Sequence, residues 1–208
     1  MRNITKTETP GFWIDLIKKN PRLKYADLEP VHKHEKDMIK AHMLQNEQFY
    51  LCCYCCKRID QKQSHIEHVK PRQSFPKLSM DYQNLLISCT GKTCGVCKDR
   101  QVLPDSLSYR NWESRFAYTV DGRIVPSFKE DGDVEKAIQI LNLNDRTLID
   151  GRKEVYDECV RYAKWMGKSY VKEMYLDMDN GKMPRFSPMV AYFYELGHFD
   201  EDVVNAAE

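Results

Sequence analysis

The sequence has no long apolar segment, no internal repeat and no low-complexity tract. Its 208 residues contain no apolar run that approaches the length of roughly 20 residues that a bilayer span needs. The first residues, MRNITKTETPGF, also lack the apolar core of a signal peptide. We therefore expect a soluble, cytoplasmic protein that forms one compact unit and has no membrane partner.

A large excess of charge is also missing, since 32 basic and 31 acidic residues give a net charge of +1. The two halves nevertheless differ. Residues 1–100 hold 18 Lys and Arg against 11 Asp and Glu, or +7, whereas residues 101–208 hold 14 against 20, or −6. Local positive potential concentrates polyanions whatever the total charge. The first half is therefore suited to nucleic acid, unless the asymmetry is only uneven surface composition.

Cysteine is concentrated in one segment. Two overlapping CxxC pairs open it and three further cysteines close it: Cys52 with Cys55, Cys53 with Cys56, then Cys89, Cys94 and Cys97. A reducing cytosol disfavours disulfides, and closely spaced cysteine pairs there more often bind metal. Each CxxC pair can present two thiolates to one tetrahedral Zn²⁺. The pattern predicts a structural zinc and leaves open which four cysteines bind it.

A histidine-containing segment lies between the two groups of cysteines. His65, Glu67 and His68 fall within four residues, and Pro71 argues against a helix there. A β-strand would place His65 and Glu67 on one face and His68 on the other. Such a group can hold one divalent cation and leave one imidazole free as a base, which is what phosphodiester hydrolysis needs. Asn84, sixteen residues after His68, is the third candidate element.

The rest of the chain is typical of a helical scaffold with one hairpin. Apolar spacing predicts helices over 12–19, 30–48, 133–141, 145–166 and 187–197. Asp133 and Ser187 are the expected N-caps. Residues 116–120 and 123–125 predict two strands joined at Asp121–Gly122 by a type I′ turn. The 145–166 helix has apolar residues at helical spacing, which predict a buried face: Leu148, Val155, Cys159, Tyr162 and Met166.

The order of these motifs resembles a known family. Cys-x-Tyr-Cys, His-Ile-Glu-His-x-x-Pro, Tyr-x-Asn-Leu-Leu, Ser-Cys and Cys-Gly-x-x-Lys follow one another as in the HNH endonucleases, which have a ββα-metal (His-Me) finger. Within that family the sequence is most similar to the PtuB-type proteins of bacterial Septu and retron anti-phage defence systems. At lower specificity, MRNITK, FAYTVDGRIVP and the LNLN of residues 141–144 extend the resemblance over most of the chain.

The resemblance implies a role for each candidate residue. His68 would be the general base, Glu67 the acidic ligand of the catalytic ion, and Asn84 the residue whose side chain orients the catalytic histidine. It also implies the zinc ligands, with Cys97 as the rival for the fourth place and Cys53 and Cys56 left over: Cys52, Cys55, Cys89 and Cys94.

One position departs from the family pattern. HNH enzymes usually place His or Asn just after the last zinc cysteine as a further ligand of the catalytic ion. Here the residues are Gly95 and Val96, whose side chains cannot bind a metal. Either His65 or Asp99 supplies the missing ligand, or the site is degraded and the protein binds nucleic acid without cleaving it.

Basic residues are dense around the predicted site. Lys70 and Arg72, on either side of Pro71, are the best candidates for contacting the phosphate backbone, and Lys98 is a third. Taken singly, each of them is better explained as a solvated surface charge, and it is their density around the site that indicates phosphate contact.

These observations predict an α+β fold in which a zinc-stapled ββα-metal (HNH) finger is embedded in a mainly helical scaffold. Residues 1–49 would form an N-terminal helical scaffold and residues 50–100 the HNH nuclease core with its structural zinc. Residues 101–208 would form a hairpin and helical region whose acidic surface docks a partner.

The predicted function is metal-dependent hydrolysis of DNA, with Zn²⁺ as the structural ion and Mg²⁺ or Mn²⁺ as the catalytic ion. The resemblance implies an effector of anti-phage defence that acts with an ABC-type ATPase of the PtuA kind and with a retron reverse transcriptase and its RNA–DNA. Two alternatives stay open: an RNA nuclease, for instance on tRNA, with the same site, and a zinc-dependent nucleic-acid-binding or assembly module without catalysis.

Overall fold

The structure is a computed structural model that describes residues 1–206, so the end of the predicted 101–208 region lies outside the described residues. Its helices are α1 (Gly11–Lys19), α2 (Lys33–Asn46), α3 (Gly95–Lys98), α4 (Trp112–Arg115), α5 (Gly132–Ile140), α6 (Arg146–Met166), α7 (Lys168–Tyr175), α8 (Ser187–Glu195) and α9 (Glu201–Ala206). Its strands are β1 (Ser64–His68), β2 (Leu85–Cys89), β3 (Phe116–Tyr118) and β4 (Ile124–Pro126). Helices with small antiparallel sheets confirm the α+β class.

Among the described helices, none is both long enough and apolar enough to cross a bilayer.

The antiparallel pair of β1 and β2 carries the predicted site residues. His65 lies opposite Ser88, and Glu67 lies opposite Leu86. Side chains alternate along a strand, so His65 and Glu67 lie on one face and His68 lies on the other. β2 is buried along its whole length, as its nearly continuous apolar sequence LLISC favours. The site residues on β1 are therefore fixed to a strand that belongs to the core.

The N-terminal helices pack against the segment that joins β1 to β2. α1 matches its prediction, whereas α2 begins at Lys33 and not at residue 30, because His32 has the non-helical backbone angles φ −112° and ψ 28°. The buried Trp13 of α1 donates its indole N–H to the carbonyl of Met80 at 3.1 Å. This bond ties the first helix to the segment that leads into β2.

Glu47, at the end of α2, is the centre of a second connection. Its buried carboxylate pairs with Lys6 Nζ at 2.7 Å and also accepts the hydroxyl of Tyr82. Lys6 donates in addition to the carbonyl of Leu85 at 3.0 Å. Buried charges are stable only when they are paired, so these groups hold the N-terminal segment, α2 and the start of β2 in one arrangement.

The hairpin of β3 and β4 lies where the sequence predicts it, but its turn differs. Gly122 N–H donates to the carbonyl of Thr119 at 2.9 Å, and among the two predicted turn residues only Gly122 has a positive φ, of +89°. A type I′ turn needs a positive φ at Asp121 as well, so that prediction is wrong. The turn is a type I turn followed by a left-handed glycine. A Cβ at Gly122 would collide with the backbone of Ile149, so the close approach of α6 requires glycine there.

Two predicted helix starts are shifted by one or two residues. α5 begins at Gly132, and the carboxylate that accepts the N–H of Val134 at 3.2 Å belongs to Asp131, so Asp133 is not the N-cap. Ser187 is the first residue of α8, and the N-cap position is taken by Phe186, whose φ is +57°. In both cases a neighbouring residue adopts the non-helical backbone that a cap position needs.

The long helix α6 is confirmed, and it contacts the turn of the hairpin. The predicted apolar residues that are buried are Leu148, Val155 and Cys159. Met166 is 60% exposed, because the chain turns at Gly167 into α7. The buried Arg152 donates to the carbonyls of Gly122 and Leu143 and so joins α6 to the hairpin turn and to the loop before the helix. α7 and α9 are not predicted, because their eight and six residues are too short for a clear apolar period.

Candidate active site and metal sites

A tight backbone turn presents the first pair of cysteines. Cys56 N–H donates to the carbonyl of Cys52 at 3.1 Å, and Cys52 N–H donates to the carbonyl of Lys57 at 2.9 Å. Cys53 N–H donates to the carbonyl of Ile87 at 3.0 Å, which holds this turn against β2. Cys89 is the last residue of β2.

Four cysteine sulfurs meet at this place: Cys52, Cys55, Cys89 and Cys94. All four Sγ atoms lie within 4.8 Å of one another, and those of Cys55 and Cys89 are 4.0 Å apart. Sulfurs bound tetrahedrally to one Zn²⁺ lie about 3.8 Å apart, as follows from Zn–S bonds of about 2.3 Å. The buried cluster can therefore hold a metal such as zinc, and it contains the four cysteines that the family resemblance implies.

Because the four thiols hydrogen-bond to one another, the pKa values of Cys52 and Cys89 lie below their usual range and those of Cys55 and Cys94 lie above it. Burial raises the pKa of the Cys52 thiol, but hydrogen bonds from the surrounding cysteines outweigh it and bring this pKa well below its usual range. The backbone N–H of Cys89 also donates to the Cys52 Sγ at 3.4 Å. A thiolate is the form in which cysteine binds a metal ion.

The other three cysteines of the segment lie outside this cluster. Cys97 is half-buried, and its thiol donates to the carbonyl of Lys92 at 3.2 Å. Cys53 and Cys56 are buried, and burial raises the pKa of both thiols. They stay protonated and pack as small apolar residues.

His65 and Glu67 form a pair on one face of β1. His65 Nε2 lies 3.5 Å from Glu67 Oε2. Two ligands of one octahedral ion lie about 3 Å apart when each bond is about 2.1 Å, so these two atoms are placed to share a divalent cation. His65 and Glu67 thus meet as the strand prediction requires.

Gly95 lies directly over this pair. A Cβ at residue 95 would lie 2.6 Å from Glu67 Oε2 and 2.8 Å from His65 Nε2. A carbon atom such as Cβ essentially never lies that close to an atom to which it is not bonded, so any side chain at this position would displace one of the two groups. Position 95, where the family usually has a metal ligand, therefore requires glycine, because Glu67 and His65 occupy the space that a side chain would need.

The second oxygen of Glu67 is held from the opposite side. Lys98 Nζ lies 2.8 Å from Glu67 Oε1, and the hydroxyl of Tyr54 donates to the same oxygen at 3.2 Å. Burial raises the pKa of Glu67, but the hydrogen bond from His65 and the charge of Lys98 outweigh it, so the pKa lies below its ordinary value. Glu67 is therefore an ionised carboxylate with one oxygen anchored and the other facing His65 and Gly95.

Lys98 does not have the surface position that we expected for a phosphate contact. Its side chain is 1% exposed, and its ammonium donates to the carbonyl of His68 at 2.8 Å besides pairing with Glu67. A buried ammonium needs an anionic partner, and Glu67 is that partner. Lys98 fixes the carboxylate and the end of β1 and does not reach outward to nucleic acid.

His68, on the other face of β1, is held by its ring nitrogen Nε2. This atom lies 3.0 Å from the carbonyl oxygen of Ser79 and, because a carbonyl only accepts, Nε2 carries the proton. The ring of Tyr25 packs edge-on against the imidazole with centroids 4.5 Å apart. Burial lowers the pKa of His68 to about 4, so the imidazole is neutral at pH 7 and its Nδ1 is an unprotonated acceptor.

Asn84 has other partners than the resemblance implies. Its Oδ1 accepts the backbone N–H of Lys70 at 2.7 Å, and its Nδ2 donates to the carbonyls of Lys70 and Leu78. In the described part of the chain, the direct acceptor for the His68 ring is the carbonyl of Ser79. Asn84 holds the two backbone segments that surround the histidine. No sequence signal identifies Ser79, because a carbonyl is common to every residue.

The site residues open into one cavity of about 310 Å³. It is lined by His65, Ile66, Glu67, His68, Pro71, Arg72, Gln73, Gly95, Asp99 and Arg100. Arg72 is exposed at its edge, as expected for a phosphate contact. The side chain of Asp99 is 74% exposed and lies 3.9 Å from Arg100. Lys70 lies outside this lining and pairs with Asp105.

Comparison with known proteins gives two curated relatives. A protein named as the HNH endonuclease of retron Vc95 from Vibrio cholerae serotype O1 biovar El Tor is 30% identical over 150 residues, which cover 66% of this chain and 71% of the relative. A protein named as the HNH endonuclease of retron Ec83 from Escherichia coli is 30% identical over 126 residues, which cover 56% of this chain and 47% of the relative. No family model matches the sequence.

The chain belongs to the HNH endonucleases, enzymes that hydrolyse the phosphodiester bonds of nucleic acids. The match to the first relative spans most of both chains at an identity that shows common descent.

Proposed function

We propose that this protein is a metal-dependent endonuclease that cleaves DNA, with His68 as its general base. The observation that carries the proposal is the meeting of a neutral His68 with the Glu67–His65 pair in one cavity. Hydrolysis of a phosphodiester needs a base for the attacking water and positive charge beside the phosphate. Both requirements have candidate groups here.

His68 supplies the base. Its Nε2 is engaged with the carbonyl of Ser79, so Nδ1 is the atom that takes a proton from water. The low pKa of the imidazole keeps it unprotonated over the whole physiological range. Asn84 contributes indirectly as a positioning residue, because it holds the backbone of Lys70 and Leu78 around the ring.

Glu67 Oε2 and His65 Nε2 would hold the catalytic ion, Mg²⁺ or Mn²⁺. Such ions take one or two protein ligands and complete their coordination with water and substrate phosphate, so a pair of ligands suffices. When bound, the ion supplies positive charge that stabilises the phosphate as the bond breaks. Lys98 and Tyr54 keep the carboxylate in place from its other oxygen. Arg72, at the edge of the cavity, would contact the phosphate backbone, and so would Lys70, in the loop that follows β1.

Cys52, Cys55, Cys89 and Cys94 would bind a structural Zn²⁺ that fixes β2 and α3 relative to the first cysteine turn. The 4.0 Å separation of the Cys55 and Cys89 sulfurs supports this ligand set. This zinc would stabilise the fold and would take no part in the hydrolysis. Stapled by it, β1, β2 and α3 would form the ββα-metal finger of residues 50–100.

The biological role that we propose is defence against phage. Both curated relatives are named as retron proteins, which supports a retron context for this chain. In a PtuB-type role, the protein would act with an ABC-type ATPase of the PtuA kind and with a retron reverse transcriptase and its RNA–DNA. Such a partner would dock on residues 101–208, because these residues carry an excess of acidic side chains.

Cleavage of supercoiled plasmid DNA and of total RNA tests this proposal. Purified protein, with and without the ATPase, is incubated with Mg²⁺, with Mn²⁺ and with neither, while bound zinc is measured in each sample. We expect DNA to be cut only when one of these ions is added, and His65→Ala to need a higher Mg²⁺ concentration than the wild type. Cleavage of RNA alone would replace DNA as the substrate. A protein that binds nucleic acid but cuts neither polymer under any condition would be a binding module.

A further inference from the structure

A second cavity adjoins the catalytic one. It has a volume of about 360 Å³ and lies between the 3₁₀ turns Tyr25–Leu28 and Pro76–Leu78. Arg72 lines both cavities, so the two meet at this side chain. A third depression of about 360 Å³ is formed by residues 20–23, immediately before the first of these turns.

Tyr25 joins the second cavity to the catalytic histidine. Its ring lies edge-on against His68, with centroids 4.5 Å apart, and the guanidinium of Arg72 lies over the same ring, 4.8 Å from its centroid. His68, Tyr25 and Arg72 therefore form one continuous contact. If a phosphate of the DNA backbone lies at His68, the neighbouring part of the same DNA strand would lie against the second cavity.

The charges around the second cavity have one sign. Three exposed cations line it, Lys24, Arg72 and Lys77, and none of its lining residues is acidic. The nearest acidic residue in sequence, Asp27, uses its carboxylate to accept the backbone N–H of Lys24 at 3.2 Å. Arg22 continues the positive charge into the third depression.

The lining between these cations is largely apolar. Besides Ser79, it consists of Tyr25, Ala26 and Pro76. Exposed cations suit phosphates, and an apolar surface beside them suits the sugar and base of a nucleotide. Neither a free divalent cation nor a basic partner would be drawn to three exposed positive side chains.

We propose that the surface formed by Lys24, Tyr25, Arg72 and Lys77 binds the DNA strand that flanks the scissile phosphate. This flanking-strand site rests on the proposed nuclease function and assigns part of substrate binding to the N-terminal segment. Lys24 and Lys77 contact backbone phosphates, and Arg72 connects these contacts to the catalytic cavity. The residues before α2 are therefore part of the substrate surface as well as of the scaffold.

The double variant Lys24→Ala/Lys77→Ala tests the proposal, with Lys129→Ala/Lys136→Ala as the matched control. The control removes two exposed lysines that line none of these cavities. Binding of a fluorescent DNA duplex is measured without added Mg²⁺ from 0.1 to 1 M salt. Each lost phosphate contact lowers the slope of log K against log salt by about 0.9. The test variant should therefore lose about 1.8 from its slope and, given equal affinity at 1 M, bind about 60-fold more weakly at 0.1 M.

Cleavage kinetics separate this inference from the function on which it rests. In Mg²⁺ the test variant should show a higher KM with an unchanged kcat, and Lys24→Arg/Lys77→Arg should restore the wild-type KM. If the wild type cuts DNA and the test variant matches the control in KM and salt slope, the flanking-strand site is wrong and the nuclease stands. If the wild type neither binds nor cuts DNA, the proposed function fails, and the flanking-strand site fails with it.

Discussion

Replacing Gly95 with alanine should slow cleavage strongly while leaving the fold and the zinc site intact. The added Cβ would lie 2.6 Å from Glu67 Oε2 and 2.8 Å from His65 Nε2. Ordinary contact begins near 3.4 Å, so at least one of these atoms must move by about 0.8 Å. Glu67 is anchored by Lys98 and Tyr54, whereas the side chain of His65 is 34% exposed and can turn away. The pair that would hold the catalytic ion is then separated.

The size of the effect follows from this displacement. A misplacement of about 1 Å in a catalytic group costs about 100-fold in rate. We therefore expect Gly95→Ala to cleave plasmid DNA about 10- to 100-fold more slowly than the wild type, with part of the loss recovered at high Mn²⁺.

Gly91→Ala is the matched control for this experiment. Gly91 lies four residues before Gly95, in the loop between Cys89 and Cys94, but a Cβ there would have its nearest neighbour, Thr93 Oγ1, at 3.9 Å. Initial rates of plasmid cleavage, zinc content and melting temperature are measured for both variants. If Gly95→Ala cuts at the rate of Gly91→Ala with full zinc content, the assignment of Glu67 and His65 to the catalytic ion is refuted.

Two further predictions concern the buried groups of the site. Cys94→Ser should lose the bound zinc and melt at a lower temperature, whereas Cys97→Ser should keep one zinc per chain. Mass spectrometry measures the zinc content, and equal content in the two variants would contradict our ligand set. Lys98→Met should lower the free energy of unfolding by about 3–5 kcal/mol, because it leaves the Glu67 carboxylate buried without its cation. Urea unfolding measures this loss against Lys92→Met, which removes an exposed lysine, and equal values for the two would show that the Lys98–Glu67 pair is unimportant.

Local pattern was sufficient to predict several parts of the site. Alternation along a short strand brings His65 and Glu67 to one face, and the structure has that strand over Ser64–His68. The spacing of the cysteines limits which sulfurs can reach one ion, and the cluster contains the four that the family resemblance selects. These features depend on residues close in sequence, or on motif order, and both can be read without coordinates.

Other parts of the site depend on how the segment between β1 and β2 folds back onto β1. Asn84 contacts Lys70 and Leu78, and Ser79 faces His68, only because residues 69–84 fold back over the strand. Lys98 reads as a surface charge in the sequence, yet α3 points it into the core toward Glu67. Long-range packing of this kind has no local signal, which is why these roles were missed or misassigned.

The central claim is that His68 is the base of a nuclease, and the most direct test compares His68→Ala with His34→Ala. His34 is an exposed histidine of α2 and lies outside the catalytic cavity. With zinc content and melting curves matched, initial rates of plasmid cleavage are measured in Mg²⁺ for both proteins. Our account predicts wild-type cleavage by His34→Ala and a loss of about 10²- to 10⁴-fold in His68→Ala, the usual contribution of a general base. Equal cleavage by the two variants would contradict it.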